Sequence, residues 1–246
     1  MKKKKTVAHH RNHSWIITMI VAAVIIVFLW NMKDSGPLSM RPLDNETYGK
    51  IKAMIKTSGT SLTTVKIFSS NHRRSQCGTL IVGSDGFQVV ITAAHLFNHE
   101  KSADTYSYMV DGKENFIQKV SSHPKPGAIG YNDIAFCFRG ASQPIKGFAT
   151  IERDMVLTNI HVRECKDTRV TKLEGNVPQK IIGILFIDET NPLYIIPMKC
   201  VDGDSGGGFL GEGRFFVLKG NIPVGSQEVA NFLHVDSKDF TLLSEL

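Results

Sequence analysis

The first 33 residues contain no aspartate or glutamate, yet they hold Lys2, Lys3, Lys4, Lys5, Arg11 and Lys33. The whole formal net charge of +6 therefore lies there, because the rest of the chain carries 23 basic and 23 acidic side chains that cancel. A pI near 9.1 would otherwise suggest a nucleic-acid partner. A body that is neutral overall and has no basic motif excludes that class. No internal repeat is visible, and the four cysteines could form two disulfides in any of three connectivities, between which the sequence does not choose. His95 and His99 stand four apart, but the intervening Leu-Phe-Asn lacks the glutamate of the helical zinc motif. No metal and no other cofactor is expected.

Charge of either sign is also missing from residues 14–32, and Ile16 to Leu29 contains ten Ile, Val, Phe or Leu. On insertion scales these contribute about −3 to −6 kcal/mol, far more than Thr18 opposes. Nineteen helical residues span about 28 Å, close to a hydrocarbon core, and Trp15 and Trp30 fall at the two interfaces. The run ends Val27-Phe28-Leu29-Trp30-Asn31-Met32 without the small residues a signal peptidase requires. The expectation is an uncleaved transmembrane helix over 14–32 behind a basic cytoplasmic tail, 1–13, in which His9, His10 and His13 are a solvated flank. Five basic residues before the span against Lys33 after it put the N-terminus in the cytoplasm and the rest outside.

Residues 33–59 read as a linker, rich in proline and polar side chains at first, with one short amphipathic helix over Tyr48 to Lys56. From about Thr63 the pattern changes to short β-branched runs between turn residues: TTVKIF, TLIVG, QVVIT, IAFCF, KIIGILFI, LYIIPM and RFFVLKG. This spacing predicts an all-β domain over 60–246.

The chemistry is concentrated in Val201 to Leu210, VDGDSGGGFL, centred on Ser205. Glycines on both sides free the backbone of side-chain bulk, so main-chain N–H groups can converge beside a hydroxyl. Such donors stabilise the oxyanion of an acyl-transfer intermediate by about 3 to 4 kcal/mol each. Those of Gly203 and Ser205 are the candidates. A serine alone is a poor nucleophile and needs a base with an orienting acid. The run QVVITAAHLF offers His95, and HPKPGAIGYNDIAF offers Asp133 ahead of an apolar strand.

Thr-Ala-Ala-His, Asp-Ile-Ala and Gly-Asp-Ser-Gly-Gly, in that order, resemble the marks of the trypsin-like (chymotrypsin-fold) serine peptidases. Cys77-Gly78 and His123-Pro124 also sit where such families carry them. The resemblance covers roughly residues 60 to 240. It implies two six-stranded antiparallel β-barrels, near 60–140 and 150–236, with His95, Asp133 and Ser205 as a catalytic triad in the cleft between them. It also implies protein or peptide substrates. Gly203-Asp-Ser-Gly-Gly207 fits the α/β-hydrolase elbow as well, but there the acid and histidine follow the serine, and His234 is the sole downstream histidine.

Several positions depart from that family. Relatives place a second cysteine directly after the histidine, where this chain has Leu96, so the bridge to Cys77 is missing. Cys137 reads as a small buried hydrophobe, and Cys165 and Cys200 remain a candidate pair. No Arg-Ile-Val-Gly-Gly activation site occurs, so Asp204 needs a partner other than a freed amine, such as a lysine or backbone donors. At the base of the primary specificity pocket stands Lys199, which would repel basic and attract acidic side chains, unless it points to the surface. The strand that receives substrate reads Leu218-Lys219-Gly220-Asn221 in place of Ser-Trp-Gly, with Gly220 lining the pocket. The expected function is a membrane-anchored serine endopeptidase acting outside the cytoplasm, of bacterial rather than animal secreted type. The rival is a catalytically silent pseudoprotease serving as an anchored binding module.

Overall fold

The computed structural model describes residues 40–57, 59–97, 103–124, 133–146, 161–164, 169–186, 192–198, 200–211, 214–224 and 227–234. The expected span 14–32, the basic tail, Lys199 and Cys165 lie outside the described residues. Among the described residues no helix is long and apolar enough to cross a membrane.

The expected linker is part of the fold from Met40 onward. Helix α1 runs Asn45–Lys56, three residues longer than the sequence reading, because Asp44 caps it, accepting a hydrogen bond from the Thr47 N–H at 2.7 Å. Glu46 in the first turn and Lys56 in the last suit the helix dipole. Its Ile51 and Met54, with Leu43 ahead of it, are buried in one cluster with Ile81, Val89, Ile91, Ile134 and Phe136 of the first half and Ile195, Phe215 and Val217 of the second. Tyr48 Oη lies 2.9 Å from His123 Nε2, so the helix is pinned by a polar contact as well.

Strands β1 (Ser61–Ser69), β2 (Ser75–Val82), β3 (Gln88–Ala93), β4 (Ala103–Asp104), β5 (Tyr106–Val110), β6 (Lys113–Ser122) and β7 (Ile134–Arg139) make up the first half. Six of them close into an antiparallel barrel in the order β1-β2-β3-β7-β6-β5. Val65, Ile67, Leu80, Val90, Tyr106, Tyr108 and Ile117 fill it. Strand β4 instead pairs with β8 (Ile145–Lys146). The hairpin β5–β6 turns at Asp111-Gly112, both at positive φ, as a two-residue hairpin loop requires.

The second half departs from the expected six-stranded barrel. Strands β9 (His161–Glu164), β10 (Arg169–Lys172), β11 (Val177–Lys180), β12 (Gly183–Phe186), β13 (Pro192–Ile196), β14 (Gly208–Gly211), β15 (Arg214–Val224) and β16 (Gln227–His234) form one eight-stranded sheet, β11-β10-β14-β15-β16-β13-β12-β9. Among the described residues no ladder joins β9 to β11, so the sheet is open. The extra strands arise because Gly175 at φ 73 and Asn176 at φ 52 fold Arg169–Lys180 into a hairpin of its own. That hairpin attaches through β14, while β9 attaches through β12 at the opposite end. Val170, Ile184, Tyr194, Phe209, Phe216 and Leu218 are its core.

Candidate active site

Strand register brings the histidine and the aspartate together. In the β3–β7 ladder Ala93 faces Ile134 and Thr92 faces Ala135, so the residues just past this end of the ladder, His95 and Asp133, are neighbours. His95 sits on a 3-10 turn, Ala94–Phe97, whose Ala94, Leu96 and Phe97 are buried and whose histidine side chain is 41% exposed. Asp133 is 2% exposed. Its Oδ1 accepts the His95 backbone N–H at 2.8 Å, and both carboxylate oxygens lie 3.0 Å from His95 Nδ1.

Burial by itself would raise the Asp133 pKa. The charge and hydrogen bonds of His95 and the ammonium of Lys219, with Nζ 3.8 Å from Oδ2, outweigh it and hold the carboxyl below its ordinary value. An ionised carboxylate only accepts hydrogen bonds, so the proton between the two residues is on Nδ1. Nε2 is then the basic nitrogen of the neutral ring.

Ser205 lies on the loop ahead of β14, and the first barrel holds that loop. The Cys77 N–H of β2 donates to the carbonyls of Gly203 at 2.8 Å and Ser205 at 2.9 Å. Gly206 N–H donates to Leu218 at 2.7 Å, and Leu218 N–H to Gly207 at 2.8 Å. Gly206 has φ +86, and a Cβ there would run into the Cys77 carbonyl and the Thr92 hydroxyl. Among the described residues the N–H groups of Gly203 and Ser205 have no acceptor. Both residues line a cavity of about 600 Å³ together with His95, Gly220, Arg73 and Arg74. Ser205 Oγ donates to the Lys219 carbonyl at 3.0 Å, and among the described residues no hydrogen bond joins it to His95.

Asp204 accepts the Val201 N–H at 3.1 Å, and Lys172 Nζ stands 3.9 Å from Oδ1 and 2.7 Å from Glu174. Burial would lower the Lys172 pKa, but the two carboxylates outweigh it and raise it. Cys77 Sγ and the carboxylates of Glu174 and Asp204 come within 4.8 Å of one another, and Lys172 is the cation both acids share. Burial pushes the Cys77 and Cys200 thiols up to about 11 and raises that of Cys137, so none is a thiolate near neutral pH.

Of the residues singled out in the sequence, His95, Gly203, Ser205 and Gly220 line the cavity, and Asp133 lies against His95. Gly220 has φ +143, and a Cβ on it would lie 3.5 Å from Ser205 Oγ. Sequence reading missed Lys219 beside Asp133, Lys172 beside Asp204, and the arginines of the β1–β2 turn. For Lys219 the signal was the altered Leu218-Lys219-Gly220 strand itself.

No protein-family model matches the chain, and no curated protein matches it either. Among solved structures it is similar to the active form of the Rv3671c protease from M. tuberculosis, at 17% identity over 81% of this chain and 86% of that one, with a TM-score of 0.39. A scabies mite inactivated protease paralogue gives 13% identity over 80% and 92% and a TM-score of 0.45. Human heparin binding protein gives 14% over 77% and 96%, with 0.42.

Proposed function

We propose that the chain is a serine endopeptidase that cuts proteins or peptides through an acyl-enzyme. The observation that carries this reading is the buried, ionised Asp133 holding the Nδ1–H tautomer of His95 on the wall of the cavity that Ser205 lines. Ser205 Oγ attacks the carbonyl carbon, His95 Nε2 takes its proton, and the N–H groups of Gly203 and Ser205 receive the developing oxyanion. His95 then protonates the leaving amine, and water repeats the sequence on the ester. Attack requires the Ser205 hydroxyl to leave the Lys219 carbonyl and turn to His95.

Lys172 beside Asp204 supplies the cation that a freed N-terminal amine would otherwise bring, so no cleavage is needed for activity. The uncharged run 14–32 anchors the chain in a membrane with its peptidase domain on the outer side.

Fluorophosphonate labelling of the full-length chain in mild detergent, with intact mass read before and after, tests the reading. Wild type gains one adduct without losing residues, while Ser205→Ala and His95→Ala gain none. The parked Ser205 hydroxyl is the one observation favouring a silent binding module, and an unlabelled wild type that still folds would decide for it.

A further inference from the structure

Lys219 has no counterpart in the motifs that suggested a peptidase, and it touches both ends of the site. The β15–β16 ladder pairs Leu218 with Phe232 and Gly220 with Asn231, so the register skips Lys219. An extra residue in one strand leaves the ladder and turns its carbonyl and side chain out of the regular alternation. Here Leu218 remains in the core, fully buried, and the carbonyl of Lys219 takes the Ser205 hydroxyl. Its side chain, 20% exposed, ends 3.8 Å from Asp133 Oδ2. A lysine kept only for solubility would carry its ammonium into water.

We propose that Lys219 is a positioning residue whose ammonium shares the Asp133 carboxylate with His95, and so keeps His95 a usable base to lower pH. The proposal rests on the reading of His95 as general base. A lone carboxylate beside a histidine stabilises the imidazolium strongly. A cation on the same carboxylate cancels part of that field. Three elements supply the charges: His95 from the turn after β3, Asp133 from the start of β7 and Lys219 from β15. Arg73, Arg74 and Asp202 line the cavity further out. Burial pulls the Lys219 ammonium below the ordinary lysine value while Asp133 opposes the fall, which fits an ion pair held largely out of water.

The test compares wild type with Lys219→Met, Lys219→Gln and Lys219→Arg in the full-length chain. All three keep the backbone carbonyl that Ser205 uses. Two readouts are taken from about pH 4 to 9, the range that brackets histidine titration. One is the rate of fluorophosphonate labelling. The other, in a Ser205→Ala background, is the low-field proton resonance of His95 Nδ1–H, which needs no turnover. Losing the charge moves the acid limb, and the pH at which the resonance changes, upward by about one pH unit, or tenfold in rate on the limb. Lys219→Arg keeps both near wild type. A folded Met or Gln variant with a wild-type resonance profile overturns the proposal, as does an Arg variant that moves as far as Met. Gln retains a donor toward Asp133, so the result is not staked on the fold of one variant. If wild type is never labelled but the resonance moves as expected, the peptidase reading fails and the Lys219 pairing stands.

Discussion

His95 donates to Asp133 twice, through its backbone N–H at 2.8 Å and through Nδ1 of its ring at 3.0 Å. The first bond sets where the carboxylate sits, and the second uses that position to orient the ring. Placement and tautomer therefore depend on one acid.

Asp133→Asn keeps the shape but adds a donor, which favours the wrong tautomer of His95. The turnover expected is about 10⁴-fold below wild type, by analogy with triads of this kind. Steady-state hydrolysis beside circular dichroism checks it. A loss of less than tenfold in a folded variant would remove Asp133 from the mechanism.

Because the Asp133 carboxyl is held below its ordinary value in the fold, its contribution to stability is complete above the unfolded value of about 3.9 and is lost as pH falls through the lower folded value. Urea midpoints measured downward from about pH 5 should therefore fall in the acid range, and more steeply in wild type than in Asp133→Asn. Parallel curves would mean that other carboxylates account for the acid loss.

Lys172→Met leaves Asp204 and Glu174 without their shared cation. Hydrogen bonds to charged groups are worth about 1.5–3 kcal/mol, and a loss at the low end is expected here because Glu174 is half exposed. The labelling rate of Ser205 should fall together with the stability, since Asp204 is its chain neighbour. Unchanged labelling would show that Val201 N–H suffices to hold Asp204.

Ile51→Ala should cost about 2–5 kcal/mol, the usual range for emptying a buried aliphatic site. Denaturant unfolding gives the value. A cost under 1 kcal/mol would mean that α1 is a detachable arm rather than part of the core.

The three candidate residues His95, Asp133 and Ser205 could be named from the sequence because each lies in a short local motif, and local motifs survive without knowledge of the fold. The apolar runs were legible for the same reason: Val89 to Ile91 and Ile134 to Phe136 are buried on both faces and read as continuous hydrophobic stretches. Strand β6 was missed because Glu114 to Gln118 alternates exposed and buried residues, so no run stands out, although Asp111-Gly112 marks its hairpin. The N-terminal part of α1 was missed because Asn45, Glu46 and Thr47 look like linker until Asp44 is seen to cap them. The contacts that Lys219 and Lys172 make were out of reach for a different reason. Their partners lie 86 and 32 positions away in the chain, and only the skipped register at Lys219 and the hairpin at Gly175 bring them there.

The double donation by the Cys77 N–H gives the serine loop an unusual mooring. Ser205 belongs by sequence to the open sheet, yet its carbonyl and that of Gly203 are tied to β2, the direct neighbour of β3, the strand that leads into His95. The same loop is bonded to β15 as well, through Gly206, Gly207 and the Ser205 hydroxyl, so both halves of the molecule hold it. A movement of one half against the other would have to break a hydrogen bond at this loop.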